Sequence, residues 1–270
     1  MSDDLSVERE GRVAVWTITR AHRHNSFGGT LLADILVAAD TAATDPGIGA
    51  VVTRAEGPTW CVGGDAADLG AVAGISLDDC WAGTELGGDK GLEPVPADDL
   101  GAGRWALKLR ELAKPLVAAV NGPVGGGGLG LAMLHDIRVA STSATFGAGF
   151  ANLGLGPELG LSVTLPAVMK TSALEFLLGG EVLTAQRAAD AGIVDRVVSP
   201  EDLDGAALAT AQRLAARPIG AIESTTRLVR APVDSILREA LTAEWAAQRV
   251  LWESPDVTTA VNRLVARVKR

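Results

Sequence analysis

An α/β core followed by an all-helical tail is the fold class this sequence predicts. Three observations predict it. Strand-like and helix-like apolar patterns alternate from residue 1 to about residue 200. One apolar run, Leu116 to Val120, passes through Asn121, Gly122 and Pro123 into four consecutive glycines and then a helical pattern. From Asp202 to Arg270 the pattern is helical only. The expected divisions are a core over 1–200 and a helical region over 201–270.

The elements follow in order. Leu5 to Arg9 and Val13 to Ile18 alternate around Glu10 and Gly11, which predicts a hairpin. Arg20 to Gly29 is a polar loop with His22, His24 and Asn25. Thr30 to Thr41 carries Leu31, Leu32, Ile35, Leu36 and Ala39 on one helical face. Asp45-Pro46-Gly47 ends that unit, and Ile48 to Ala55 is a strand. A glycine pair, Gly63 and Gly64, precedes a helix start at Asp65. Residues 70–103, rich in glycine and acid, are expected to form a loop or lid, partly helical at best. Trp105 to Ala113 is helical and leads into the central strand. Ile137 to Ala140 is another strand. A helix is expected to open at Pro157-Glu158-Leu159 and run to about Lys170. Leu174 to Leu178 and Ala185 to Ala191 are helical, and Ile193 to Val198 is a strand. Pro218, Pro232 and Pro255 are expected to divide the tail.

Composition narrows the function classes. The chain has 270 residues, 47% hydrophobic and 21% charged, enough for a sizeable core. Its formal net charge of −9 argues against nucleic-acid binding. Cys61 and Cys80 do not make a disulfide framework. The acidic Met1-Ser2-Asp3-Asp4-Leu5 start lacks the apolar core of a signal peptide, and no apolar run reaches membrane-span length. The expectation is a cytoplasmic protein without membrane or nucleic-acid partners. Metal-ligand spacing is absent, so no metal is expected.

The glycine run supplies the chemistry. Gly125 to Gly128 strip side chains from the point where a strand hands over to a helix. A ligand can approach that backbone closely. Free N–H groups and the helix dipole there favour an anion or a developing oxyanion. Gly125 to Gly130 also fits a dinucleotide fingerprint, but Thr142 to Gly156 contains no acid to hold a ribose. Purely structural helix–strand packing is the other alternative.

Trp60-Cys-Val-Gly-Gly-Asp65, Lys114 to Gly122 with its glycine run, Asn152-Leu-Gly-Leu-Gly-Pro-Glu158 and Ala185 to Val198 together resemble the crotonase (enoyl-CoA hydratase/isomerase) superfamily over essentially the whole chain. The resemblance implies a spiral of ββα units and a C-terminal helical region for trimerisation. It implies an acyl-CoA thioester as substrate, with coenzyme A part of that substrate and no separate cofactor. It also implies self-association as a homotrimer or a dimer of trimers. By motif matching, the N–H groups of Cys61 and Gly127 are the oxyanion donors. Donors of this kind are worth roughly 3–4 kcal/mol each. Asn25, Val62, Gly63, Gly64, Asp65, Leu69, Gly126 and Phe150 match positions along the bound thioester and coenzyme.

The two glutamates that hydratases of this superfamily use match Gly130 and Phe150 here. One acid remains, Glu158, at the position that resembles the single base of the Δ3,Δ2-enoyl-CoA isomerase branch. The expected function is an acyl-CoA isomerase with Glu158 as base. A non-catalytic acyl-CoA binder, or a hydratase or thioester hydrolase of the same superfamily, is the alternative. Glu158 after Pro157 is also what a plain helix start would select. Cys61 is read as a small inert residue, His22 and His24 as solvated, and His135 as a cap or packing residue.

Overall fold

The computed structural model describes residues 4–77, 100–101 and 103–268. In chain order the strands are β1 (Leu5–Glu10), β2 (Val13–Ile18), β3 (Ala50–Ala55), β4 (Leu116–Val120), β5 (Val124–Gly125), β6 (Ile137–Ser141), β7 (Thr145–Gly147), β8 (Val182–Thr184) and β9 (Arg196–Val198). The helices that position the site are α1 (Leu31–Thr44), α2 (Ala66–Val72), α3 (Gly103–Glu111), α4 (Gly127–Leu134) and α5 (Leu161–Val168). Behind them come α6 (Ala173–Gly179), α7 (Ala185–Asp190), α8 (Leu203–Ala215), α9 (Ile219–Trp252) and α10 (Pro255–Val268). Most of the expected loop over 70–103, with Asp78, Asp79, Cys80, Asp98 and Asp99, lies outside the described residues. Among the described residues, no helix is long and apolar enough to cross a membrane and no cluster of acids, histidines and cysteines is placed to hold a metal.

A six-stranded sheet runs β1-β2-β3-β4-β6-β9. Only the β1–β2 hairpin is antiparallel; the other pairs are parallel. A parallel sheet is covered on both faces, so its strands carry apolar residues toward both sides. Val13, Val15, Val52, Val117 and Val139 face α8, against Leu203, Ala207, Ala211 and Ala215. Their neighbours Ala14, Trp16, Val51, Ala118 and Val120 face the larger core on the other side. A small second sheet, β5-β7-β8, sits where β4 gives way to α4. Sequence reading missed β5, β7 and β8, which are two, three and three residues long; Thr145 to Gly156 reads as a loop.

The tail packs on the core of its own chain. The tail's apolar residues Ile236, Leu237, Ala240 and Leu241, next to Trp245, are expected to bury against a partner subunit; Leu237, Leu241 and Trp245 are instead buried within the protomer, and Ile236 stays exposed. Leu241 lies against Gly103, Trp245 against Gly101 and Leu237 against Gly160. Pro232 does not divide the tail; it lies inside the continuous α9. Anchors on either side of it explain why. Leu237 is one, and Arg230 is the other.

Arg230 is 3% exposed. Its Nε and Nη2 donate to Asp136 at 2.8 and 2.6 Å, and its remaining N–H groups reach the carbonyls of Leu112 and Lys114 at 2.8 and 3.0 Å. Asp136 also accepts the Leu116 N–H at 2.8 Å. Burial pushes the Asp136 carboxyl up, but Arg230 and the Leu116 N–H outweigh it and hold the group below its ordinary range. One guanidinium thus joins α9 to the α3–β4 connection and the head of β6. His135 fills the space behind, its Nδ1 against the Leu131 carbonyl and its Nε2 against Thr53 Oγ1, both at 2.8 Å.

Arg230→Ala strands a buried carboxylate and the carbonyls of Arg110, Leu112 and Lys114. Urea unfolding is expected to show a loss of about 3–5 kcal/mol, with Arg230→Lys recovering little because it cannot reproduce the planar fork.

Candidate functional site

Two chain segments meet backbone to backbone. Cys61 bridges Val124 in parallel: its N–H donates to the Pro123 carbonyl at 3.3 Å, and its carbonyl accepts from Gly125 at 3.1 Å. At Gly63 φ is +83°, and a Cβ there would lie 2.5 Å from the Gly127 nitrogen. A Cβ on Gly128 would collide with the Cys61 carbonyl. Side chains are excluded because the two backbones occupy the space where they would be. The crossing opens onto a cavity of about 820 Å³, with the N-terminus of the wholly buried α4 pointing into it.

This geometry corrects the expected donor pair. The Cys61 N–H is spent on Pro123, and the residue is fully buried outside the cavity wall. Its thiol accepts the Gly63 N–H, and burial pushes it up to about 12, which makes it an inert part of the turn. Successive N–H groups of an extended segment point to opposite sides, so the donor facing the cavity is the next residue, Val62. Val62 and Gly127 both line the cavity, and among the described residues neither N–H has a hydrogen-bond partner. Unpaired N–H groups converging beside a helix N-terminus form a site for a developing oxyanion.

Asn25 is also reassigned. It is fully buried, and its side-chain amide donates to the Glu56 and Thr59 carbonyls at 2.8 and 2.6 Å. It holds the turn before Trp60 and does not reach the cavity. Asp65 lines the cavity, but its oxygens are committed. They cap α2 through the N–H groups of Ala67 and Asp68 and accept from Ser26 and Arg23. Burial raises this carboxyl; Arg23, Ser26 and the two N–H groups outweigh it and keep it below its ordinary range. Gly64, Leu69, Gly126 and Phe150 lie on the wall as expected, and Gly63 supplies the turn behind it.

Glu158 faces the same cavity. A Cβ placed on Gly127 would lie 2.7 Å from its Oε1, so the carboxylate stands directly beside the donor pair. The expected helix start at Pro157 is corrected: α5 begins at Leu161, and Glu158 sits in the turn before it. Leu159 in that turn has φ +57°, a left-handed conformation that costs about 1–2 kcal/mol for a residue with a Cβ. Leu159 fills the space beside Gly130, where a Cβ would meet its Cβ at 2.7 Å and the Glu158 carbonyl at 3.2 Å. A side chain at position 130 would therefore collide with this turn. Phe150, at the other acid's position, presents an apolar ring.

Burial and the nearby Glu244 carboxylate raise Glu158, a hydrogen bond from Gln248 opposes them, and the group is pushed up from 4.5 to about 7. Glu244 and Gln248 were missed by sequence reading, as were Trp245, Trp252, Arg263 and Arg267, which also line or close the cavity. All belong to the tail. The signal lay in two polar residues, Glu244 and Gln248, spaced four apart beside the apolar stripe of Leu237, Leu241 and Trp245.

Residues 101–269 match the family model described as enoyl-CoA hydratase/isomerase. A probable enoyl-CoA hydratase of Rhizobium meliloti (strain 1021) is 29% identical over 268 residues, covering 99% of this chain and 96% of the relative. A 4-chlorobenzoyl coenzyme A dehalogenase-1 of Arthrobacter sp is 30% identical over 225 residues, covering 79% and 73%. The solved structure of an enoyl-CoA hydratase/isomerase from Pseudoalteromonas atlantica T6c aligns with a TM-score of 0.82 at 27% identity, over 98% of this chain and 97% of that one.

Gly130→Glu would drive a side chain into the Leu159 turn. The expected result is a destabilisation of about 1–3 kcal/mol, the scale of overpacking a filled site, read by urea unfolding, without any gain of enoyl-CoA hydration.

Proposed function

The chain belongs to the enoyl-CoA hydratase/isomerase family, and we propose that it shifts the double bond of an enoyl-CoA, with Glu158 as the single base. The observation that supports this reading is one carboxyl, raised to about 7, standing beside two unpaired N–H groups in an apolar cavity. A base poised near neutrality can both take and return a proton.

In this reading the thioester oxygen accepts from the Val62 and Gly127 N–H groups. Glu158 removes a proton from C2 of a 3-enoyl thioester. The C–H electron pair becomes the C1–C2 double bond of a dienolate, and the carbonyl electrons move onto the oxygen. The protonated Glu158 then delivers the same proton to C4, the carbonyl re-forms, and a 2-enoyl thioester results. Phe27, Leu32, Leu36 and Phe150 exclude water from the acyl group. Arg263 and Arg267, one turn apart on α10, supply positive charge for the phosphates of coenzyme A. Hydration needs a second group to hold and deprotonate a water, and Gly130 and Phe150 provide none.

The test is turnover of 3-enoyl-CoA followed by absorbance of the conjugated product. The parent is expected to isomerise it, with kcat/KM rising with pH through about 7 and only slow hydration of 2-enoyl-CoA. Glu158→Gln should lower kcat by roughly 10²–10⁴ and leave acyl-CoA binding intact. Retained turnover in this variant would remove Glu158 as the base. Stability should move the other way. The carboxyl is near 7 folded and 4.5 unfolded, so the folded state loses stability as pH rises from 4.5 to 7 and stays penalised above. Glu158→Gln lifts that penalty and should gain about 1–3 kcal/mol at pH 8, the gap closing below pH 4.5.

The same reading carries an oligomer. Leu228 and Val229 on α9 are 72% and 74% exposed and remain available for a partner subunit. Light scattering is expected to give three or six times the 27.7 kDa chain mass; a stable monomer at micromolar concentration contradicts it.

A further inference from the structure

Within the turn that carries Glu158, the Leu161 N–H donates to the Glu158 carbonyl at 3.2 Å. Leu159 and Gly160 both have positive φ, +57° and +79°, and the helix that follows has no side-chain cap of its own. The turn is gripped from α9 at points before and after Glu158. Before it, Gln248 Oε1 accepts the Gly156 N–H and Gln248 Nε2 donates to the Gly156 carbonyl, each at 3.1 Å. After it, the Glu244 carboxylate accepts the Gly160 and Ser162 N–H groups, each at 2.8 Å. Glu244 and Gln248 are 6% and 5% exposed and lie one helical turn apart.

The pair also reaches the carboxylate. With Gln248 Oε1 held by the Gly156 N–H, its amide can present only N–H to Glu158, and it donates there as well. We propose that Glu244 and Gln248 are positioning residues for the reaction: together they hold the left-handed turn that aims Glu158 beside Gly127, and Gln248 orients the carboxylate through its amide. This rests on the reading of Glu158 as the base.

The two residues act on the Glu158 charge in opposite senses. Glu244 is a like charge and disfavours ionisation, whereas the Gln248 donor favours the ionised form. From the other elements, Asp65 and Asp68 of the α2 start, Arg104 of α3, and Arg263 and Arg267 of α10 line the same cavity. α4 presents only glycine backbone at this end. Among all these groups, Glu244 is the charged neighbour that shifts Glu158.

The experiment is the pH dependence of kcat/KM for 3-enoyl-CoA in the full-length protein, with Gln248→Met and Glu244→Gln beside the parent and Glu158→Gln. Gln248→Met loses the donor, so the rising limb should move to higher pH. Its kcat should fall about 10–100-fold, the scale of a misplaced reacting group, with KM changed much less. Glu244→Gln loses the like charge and keeps one acceptor, so its limb should move to lower pH. Opposite displacements are the signature, because loosening the fold moves unfolding temperature without reversing the sign of a limb. If Gln248→Met does not fold, the displacement in Glu244→Gln decides. Limbs that stay in place, or move together, while Glu158→Gln is inactive overturn this inference and leave the base reading standing. An active Glu158→Gln overturns both.

Discussion

Everything at the site depends on two backbones being allowed to touch. The Trp60–Gly64 segment and the β5–α4 junction cross with no side chain between them at Gly63 and Gly128. That contact makes the short bridge between Cys61 and Val124. The bridge consumes the Cys61 N–H and carbonyl, and its alternation turns the Val62 N–H outward. The same contact places the first turn of α4 against the cavity, so that the Gly127 N–H and the helix dipole converge on one point. The site is a consequence of pairing geometry, and side-chain chemistry enters only afterwards.

The carboxylate that stands at this point is supported at a cost. Leu159 adopts a conformation that residues with a Cβ avoid, and Glu158 is held in surroundings that disfavour its charge. Neither would persist unless the surroundings over-determined them. Leu159 is locked by its fit beside Gly130, and the flanking backbone is locked by Glu244 and Gln248. Glycine at position 130 and the turn that carries Glu158 are one packing arrangement: the turn occupies the volume that a side chain at 130 would fill.

The tail closes this system within one chain. Arg230 fastens α9 to the head of β6 and the entry to β4, which places Trp245, Gln248 and Trp252 along the cavity, and Glu244 on the Gly160–Ser162 backbone, further down the same helix. α10 then folds back onto α2 through Val257 and Val261 beside Val72 and adds Arg263 and Arg267 to the wall. A tail read from sequence as oligomerisation surface forms a wall of the cavity.

The sequence by itself determined the alternation of strands and helices in the α/β core, through apolar strands such as Leu116–Val120. It also determined the helix start at Asp65 and the glycine-lined junction. These are legible because period, capping chemistry and the absence of side chains are local properties. Only the tertiary structure decided that Val62 and not Cys61 points its N–H into the cavity, since that depends on which neighbour pairs with which carbonyl. It alone showed that Asn25 serves the Glu56–Thr59 turn, that Pro232 continues a helix, and that Leu237, Leu241 and Trp245 are covered by their own chain. It alone brought Glu244 and Gln248 to Glu158 across more than eighty residues. An apolar stripe specifies that a face will be buried. What buries it, and what its polar neighbours then reach, is settled by the packing of distant elements around a common core.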